Sequence, residues 1–404
     1  MEGFSLNDTD WIKELKKQRT QYGVSQNQLA VMAGVSREYI SRLESGKVTL
    51  TEEIKEKVTD ALERLNPDNP LEMVFDYVRI RFPTQDVKYV VEDILGLRLD
   101  VMIHEDYGFY SYSEHYVLGD VFVLTSPDKE KGILLELKGK GCRQMESYLL
   151  AQHRSWFDFL METLVEGGVM KRLDLAINDM AGILDVPELT EKSNHEECIY
   201  VFRSFKSYRS GELVRSHEQD RYGMGNTLYI GSLKSEVYFC IYEKDYEQYV
   251  KYDIPIEDTK IKNRFEIRLK NERAYHAVRD LLTYYDAERT AFSIINRYMR
   301  FANKEVDKRR SEWKTNDRWA YFIGSDRGRL RLTTKPEPYT LTRTLNWIGR
   351  QVAPTWKVLE QIDRTNGTTY LKDILEHTRL TERHKKLIAQ QTTSKEEIIM
   401  EQEE

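Results

Sequence analysis

Apolar residues recur at helical spacing over residues 10–65. Trp11, Ile12 and Leu15 open the pattern, QNQLAVMAGVSREYISRLESGK carries it on, and Ile54 to Leu65 closes it, with the recurrence expected of amphipathic helices. The stretch NPDNP at 66–70 breaks it, because proline lacks a backbone donor and biases its predecessor away from the helix. The period then becomes two. In MVFDYVRIRFP apolar and polar positions alternate up to Pro83, as in a half-buried strand. Further strands are predicted over Tyr116–Leu124, Gly132–Leu137, Val169–Asn178, Thr227–Ile230, Val237–Tyr242 and Arg264–Leu269. Helices are predicted over Asp86–Leu95, Met145–Glu166 and Glu272–Arg310. FDYVRIRFP and LDLAIND each set an Asp ahead of alternating apolar positions, a faint internal echo. The closing TSKEEIIMEQEE is expected to fray.

A chain of 404 residues with 40% hydrophobic and 32% charged residues and nine prolines has the balance of a folded protein of two or three domains. No apolar run approaches the roughly 18 residues of a membrane span, and the N-terminus lacks a basic segment followed by an apolar one. Membrane insertion and secretion are therefore not expected. Cys142, Cys198 and Cys240 are isolated and form no C-x-x-C pair, so a reducing cytoplasm is the expected compartment. The formal charge of −6 conceals a segment of opposite sign: Lys260–Arg350 holds 22 Lys/Arg against 11 Asp/Glu, leaving −17 for the rest. Contact with a polyanion is expected there, with Trp313, Trp319, Tyr321 and Phe322 as candidate stacking residues for single-stranded bases.

Within the head, Ser25 is placed to cap one helix, Gly34 to make a tight turn and Ser36 to cap a second helix through Ile40 and Leu43. Small Ala30 lets the two cross closely. Ser36, Arg37, Glu38, Ser41 and Arg42 then point outward, where a second helix entering a major groove would present them to bases. The stretch resembles the phage-repressor-like helix-turn-helix family at its glutamine, small-residue, glycine and serine positions, including Gln26, and in the ending LESGK. Residues 1–66 hold ten basic and eleven acidic residues, so much of the affinity for DNA is expected to come from elsewhere.

Three predicted strands carry the chemistry: RLDLAIND at 172–179, GNTLYIGSLKSEVYFCIYEKDYEQ at 225–248 and NRFEIRLK at 263–270. Strand alternation puts Arg264, Glu266 and Arg268 on one face, and Tyr238, Cys240, Tyr242 and Lys244 on one face of another strand. A carboxylate, a tyrosine and several cations suit phosphodiester transesterification. A phenol, with a pKa of roughly 10, needs a polarised phosphate and nearby cations to attack phosphorus. Asp174 and Glu266 are hard oxygen donors for Mg²⁺ or Mn²⁺, and Arg264, Arg268 and Lys244 are candidate phosphate clamps. Alternating aromatic strands are usually core, so this pattern alone does not single out Tyr242 among 25 tyrosines. Asp174 bonding to a neighbouring backbone, or Glu266 pairing with Arg264, are the commoner fates of such carboxylates. None of the eight histidines makes a His-hydrophobe-His pair, so a carboxylate-held ion is the better fit. The GKGC turn at 139–142 reads as a strand-to-helix connection.

Over roughly Leu71 to Lys335 the chain resembles the Rep_trans superfamily, which includes rolling-circle replication initiators and the MobT-type relaxases of integrative conjugative elements. The resemblance is carried by LELKGKGCRQME, RLDLAIND, LYIGSLKSEVYFCIYEKDYEQ and RFEIRLK. It implies Tyr242 as nucleophile and Asp174 and Glu266 as metal-binding acids, with Glu136 and Glu243 as further candidates. Glu243 stands where many relatives have aspartate, and Cys240 where many have arginine. The resulting expectation is an α+β protein. It comprises a helix-turn-helix domain at 1–66, a mixed, largely antiparallel-sheet nicking domain at 71–335, and a helical C-terminal region with a charged tail at 336–404. The activity implied is a conjugative relaxase that nicks one strand at an origin of transfer and stays on the 5′ end as a phosphotyrosyl ester. Its partners would be duplex and single-stranded origin DNA, accessory DNA-processing proteins and a type IV secretion coupling protein. A rolling-circle replication initiator with the same chemistry, or a non-enzymatic helix-turn-helix regulator, are the alternatives.

Overall fold

The head is four helices, α1 (Leu6–Gln21), α2 (Gln26–Ala33), α3 (Arg37–Glu44) and α4 (Glu52–Arg64). The expected caps are present: the Gln28 amide donates to Ser25 Oγ at 3.1 Å and the Tyr39 amide to Ser36 Oγ at 3.1 Å, satisfying donors that a helix start leaves free. Gly34 takes φ +62° between α2 and α3, a conformation without penalty for glycine. Leu15, Leu29, Ala30, Ile40, Leu43, Val58 and Leu62 form a core separate from that of the rest. In this computed structural model the described residues are 6–48, 50–66, 69–209, 225–324, 330–332, 336–337, 341, 344–345 and 348–400.

The rest is built on one twisted, largely antiparallel sheet. The strands in chain order are β1 (Leu71–Phe82), β2 (Ile103–Glu105), β3 (Glu114–Leu118), β4 (Val121–Thr125), β5 (Ile133–Lys138), β6 (Val169–Asp179), β7 (Cys198–Tyr200), β8 (Phe205–Arg209), β9 (Asn226–Ile230), β10 (Val237–Glu243) and β11 (Asn263–Lys270). In space the order is β2-β3-β4-β5-β1-β6-β11-β10-β9-β8, and β7 pairs instead with the short strand Met299–Phe301. The helices α5 (Lys140–Ala151) and α6 (Trp156–Val165) and, following α7 (Val186–Asn194) and α8 (Lys244–Tyr252) in the chain, α9 (Asn271–Tyr284) pack on one face of the sheet. Phe75, Val78, Ile80, Leu135, Leu173, Leu175, Phe239, Phe265 and Ile267 meet Met145, Trp156, Phe159 and Val278 there. A sheet covered on one side reads as strict alternation, so the other side is polar and carries the candidate site.

Three expectations are corrected by turns that short-range pattern does not reveal. The strand expected over Tyr116–Leu124 is the hairpin β3–β4, turned at Gly119 with φ +60°. The helix expected over Met145–Glu166 is two helices, the second starting at a capping box between Ser155 and Asp158. The helical run from Glu272 ends at Tyr298, after a break between α9 and α10 (Ala287–Tyr298).

The closing segment is a further correction as far as Met400, the last four residues of the expected tail lying outside the described residues. Lys395–Ile398 is a helical turn, Ile398 is buried in the main core, and the Met400 amide donates to the Gly96 carbonyl at 2.9 Å. Two consecutive isoleucines in an acidic context bury themselves, and the charges stay outside.

Candidate active site

Tyr242 lies near the end of β10, opposite Arg264 on β11, which in turn lies opposite Asn178 on β6. The Tyr242 hydroxyl donates to Glu266 Oε1 at 2.9 Å. Glu266 is 3% exposed, and its other oxygen takes Arg268 Nε at 2.7 Å. Arg264 donates through Nε to Asn178 Oδ1 at 2.7 Å and through Nη1 to Asp76 Oδ1 at 3.0 Å. Lys244 does not share the strand, as alternation implied. It is the first residue of α8 (Lys244–Tyr252), yet its ammonium sits 5.5 Å from the centre of the Tyr242 ring and is paired with Glu247.

These groups line one open cavity of about 800 Å³ with Glu243, Asp120, Gly139, Lys140 and Lys138. Among the predicted residues, the structure thus brings Tyr242, Glu266, Arg264, Arg268, Lys244 and Glu243 together. Burial, reinforced by the Glu266 charge, pushes the Tyr242 phenol well above its ordinary pKa, and Arg264 opposes this. Burial and then Arg264 depress the Lys244 ammonium. Glu243, raised by burial, accepts the Asn226 backbone and side-chain amides at 2.7 Å each, which ties β9 to β10.

Asp174 and Glu136 stand on the same sheet face but do not line the cavity. Asp174 lies opposite Arg268, two pleats along from the row of Tyr242, and Arg172 grips it with bonds of 2.9 and 2.6 Å. Burial pushes its pKa up to about 6 in spite of that arginine. Glu136 accepts from Tyr77 and Arg79 and is 2.8 Å from Lys138. Although burial works the other way, these partners hold its carboxyl below the usual range.

Asp76 was not singled out by sequence reasoning, but it lines the cavity and holds Arg264. A β-bulge between Phe75 and Tyr77 puts it there. Apolar positions run 73, 75, then 78, 80, 82, and that shift of phase in MVFDYVRIRF is the mark of an inserted residue. The GKGC turn is a strand-to-helix connection as read: the Gly139 amide bonds the Asp76 carbonyl at 2.8 Å and α5 follows.

Among the described residues, no three His, Cys, Asp or Glu are gathered to hold a metal ion. Asp76, Glu243, Glu247 and Glu266 nonetheless line one cavity, and Mg²⁺ is commonly held by one or two carboxylates together with substrate phosphates and water. Each of the four is bonded within the protein, Asp76 to Arg264, Glu243 to Asn226, Glu247 to Lys244 and Glu266 to Tyr242 and Arg268, so an ion would replace some of these partners.

In the head, Ser36, Arg37, Glu38 and Arg42 are exposed and Ser41 is partly so. Gln26 donates to Glu44 at 2.8 Å, and Glu44 also holds Arg19. Ser36, Arg37 and Glu38 face His153, Arg154, Asp158 and Glu162 across a cleft of about 690 Å³. At the base of the cleft, Asn27 donates to the Leu150 carbonyl at 2.9 Å. The proposed stacking aromatics are mostly not available: Trp319, Phe322 and Trp313 are buried and only Tyr321 is exposed. Trp319 and Phe322 are three apart on the helix Asp317–Ile323, which packs on Phe265 and Phe301.

A helix-turn-helix head and a one-faced antiparallel sheet with a cation-surrounded tyrosine define the class. The chain belongs to the replication initiation factor family, whose description matches residues 168–375. Residues 72–162 match the rolling circle replication initiation protein N-terminal domain and residues 15–68 a helix-turn-helix. The chain is 41% identical over 322 residues to the protein titled "Putative DNA relaxase NicK" of Bacillus subtilis (strain 168), covering 80% of this chain and 90% of that one. A solved rolling circle replication initiator protein from Geobacillus stearothermophilus shares the fold with a TM-score of 0.55 at 23% identity, over 66% of this chain and 99% of that one. Among the described residues, no helix is long and apolar enough to cross a membrane.

Proposed function

We propose that this protein is a conjugative relaxase. It binds an origin of transfer, nicks one strand through Tyr242 and retains the 5′ end as a phosphotyrosyl ester. The observation that carries the reading is the Tyr242 hydroxyl on Glu266 at 2.9 Å, ringed by Arg264, Arg268 and Lys244 in an open cavity. Burial keeps the phenol protonated until attack, so a base has to be at hand, and Glu266 accepts that proton as the Tyr242 oxygen bonds phosphorus. The bond from phosphorus to the 3′ oxygen breaks, and that oxygen leaves as a hydroxyl on taking a proton from water. Arg264 and Lys244 offset the charge that develops on the phosphoryl oxygens. Arg268 holds Glu266 in place, and Asp174 with Arg172 holds Arg268. Glu266 with Asp76, and Glu243 beside them, would hold Mg²⁺ or Mn²⁺, which when bound polarises the phosphate. The ester stores the bond energy, so rejoining needs no nucleotide cofactor.

The exposed Arg37, Glu38, Ser41 and Arg42, with Ser36 at the helix start, read duplex DNA beside the nick, and Gln26 supports them through Glu44. Identity to a protein titled a DNA relaxase favours transfer over replication. A soluble location in the cytoplasm, accessory DNA-processing proteins and a secretion coupling protein as partners belong to the same proposal.

The test is incubation of the protein with Mg²⁺ or Mn²⁺ and a supercoiled plasmid carrying the origin. Relaxed circles and a covalent 5′ adduct are expected, and Tyr242→Phe abolishes both while binding survives. Nicking by Tyr242→Phe at the normal rate would refute the assignment.

A further inference from the structure

Lys138, the last residue of β5, lines the cavity at Tyr242. The Lys138 ammonium bonds the Tyr110 hydroxyl at 3.2 Å. Tyr110 belongs to the loop between β2 and β3, which folds over the polar face of the sheet. One side of its ring is taken by the Arg79 guanidinium, 4.1 Å from the centre, and the residue remains 48% exposed.

This loop is held, not loose. His115 bonds the Tyr107 carbonyl at 2.6 Å, Lys131 bonds the Ser111 carbonyl at 2.6 Å, and the Tyr112 hydroxyl bonds the Lys131 carbonyl at 3.1 Å. Phe109 meets Tyr110 edge-on and also packs on Phe122, which lines the cavity. Tyr110 and Ser111 adopt φ of +57° and +64° in succession. Side-chain-bearing residues pay for that conformation, and it persists where surrounding contacts over-determine it. The packing thus fixes a large, half-exposed aromatic ring beside Arg79, with its hydroxyl on Lys138, a residue that lines the catalytic cavity.

We infer that Tyr110 is a base-stacking platform for the single strand that leaves the nick, with Lys138 and Arg79 offsetting the charge of its phosphates. The inference builds on the nicking reading, with the strand running from Tyr242 along the cavity past Lys138. A half-exposed ring backed by a guanidinium can accept any base, because every base has a π-face. Tyr110 acts as a positioning residue: it holds the strand in register with the nucleophile and touches no reacting atom.

The experiment uses full-length protein and two fluorescein-labelled strands of equal charge at fixed salt, one of about thirty thymidines and one of the same length with abasic residues, with binding read by anisotropy. Tyr110→Ala is expected to weaken thymidine-strand binding roughly five- to fifty-fold and leave abasic-strand binding unchanged. Tyr110→Trp is expected to retain or tighten the former. An equal loss on both strands, or no loss on either, overturns the inference. The measurement involves no cleavage, so its failure is distinct from nicking by Tyr242→Phe, which would sink the nuclease reading alone. Should Tyr110→Ala melt early, the comparison of Tyr110→Trp with Tyr110→Phe on the two strands decides: stacking requires tighter thymidine-strand binding by Trp and no difference on the abasic strand.

Discussion

Glu266 touches both the nucleophile and a neighbouring guanidinium and would also help hold the ion, so a same-sized replacement removes its base and ligand roles while keeping its packing. Glu266→Gln keeps size and a hydrogen bond to Tyr242 but cannot take the proton. The nicking rate is expected to fall about 10²- to 10⁴-fold, the range for a lost general base, with the melting temperature little changed. Asp174 makes a different prediction. Its pKa rises from an ordinary 3.8 to about 6 on folding, so between those values the folded state holds a proton that the unfolded state releases. Stability is therefore highest near the lower value and declines as pH climbs through about 6. In chelator-containing buffer, the wild-type loss across that window is expected to exceed that of Asp174→Asn by on the order of 3 kcal/mol. Denaturant midpoints at pH 4, 5, 6 and 7 would show it, and parallel curves would refute it.

At the scale of elements, the site depends on where strands break their own regularity. The bulge at Asp76 lets two successive residues, Asp76 and Tyr77, face the polar side, so one strand supplies partners to both Arg264 and Glu136. The start of α5 is equally constrained. A Cβ on Gly141 would stand 2.3 Å from the Asp120 carbonyl oxygen, a backbone atom that cannot swing aside. Gly141→Ala is expected to cost about 1–3 kcal/mol and to disturb the cavity wall formed by Asp120, Gly139 and Lys140. Thermal melting together with the nicking rate would reveal both effects.

For the whole molecule, the two cores assign separate tasks. The head has its own core, and its joint to the rest runs through Asn27, Leu150 and His153. Deleting residues 1–66 is expected to weaken duplex origin binding strongly while cleavage of a short single-stranded oligonucleotide persists. Loss of cleavage on that oligonucleotide would contradict the separation. The far end of the chain is by contrast part of the main core. Ile398→Ala is expected to cost about 2–5 kcal/mol by leaving a cavity, measurable as a drop in the denaturant midpoint.

Periodicity alone determined the helical head, its caps at Ser25 and Ser36, and the strands that carry Tyr242, Glu266 and Asp174, because burial against one face imposes a period that survives in the residue order. Family resemblance, not periodicity, singled out Tyr242 among the tyrosines. Only the tertiary structure decided which carboxylates meet the phenol. Register across three strands sets Asp174 two pleats away and brings Glu266 within a hydrogen bond, while a bulge recruits Asp76. The fate of the aromatic stretch near Trp319 and of the acidic end was likewise decided by packing, since a composition suited to water does not reveal which few apolar side chains find a partner.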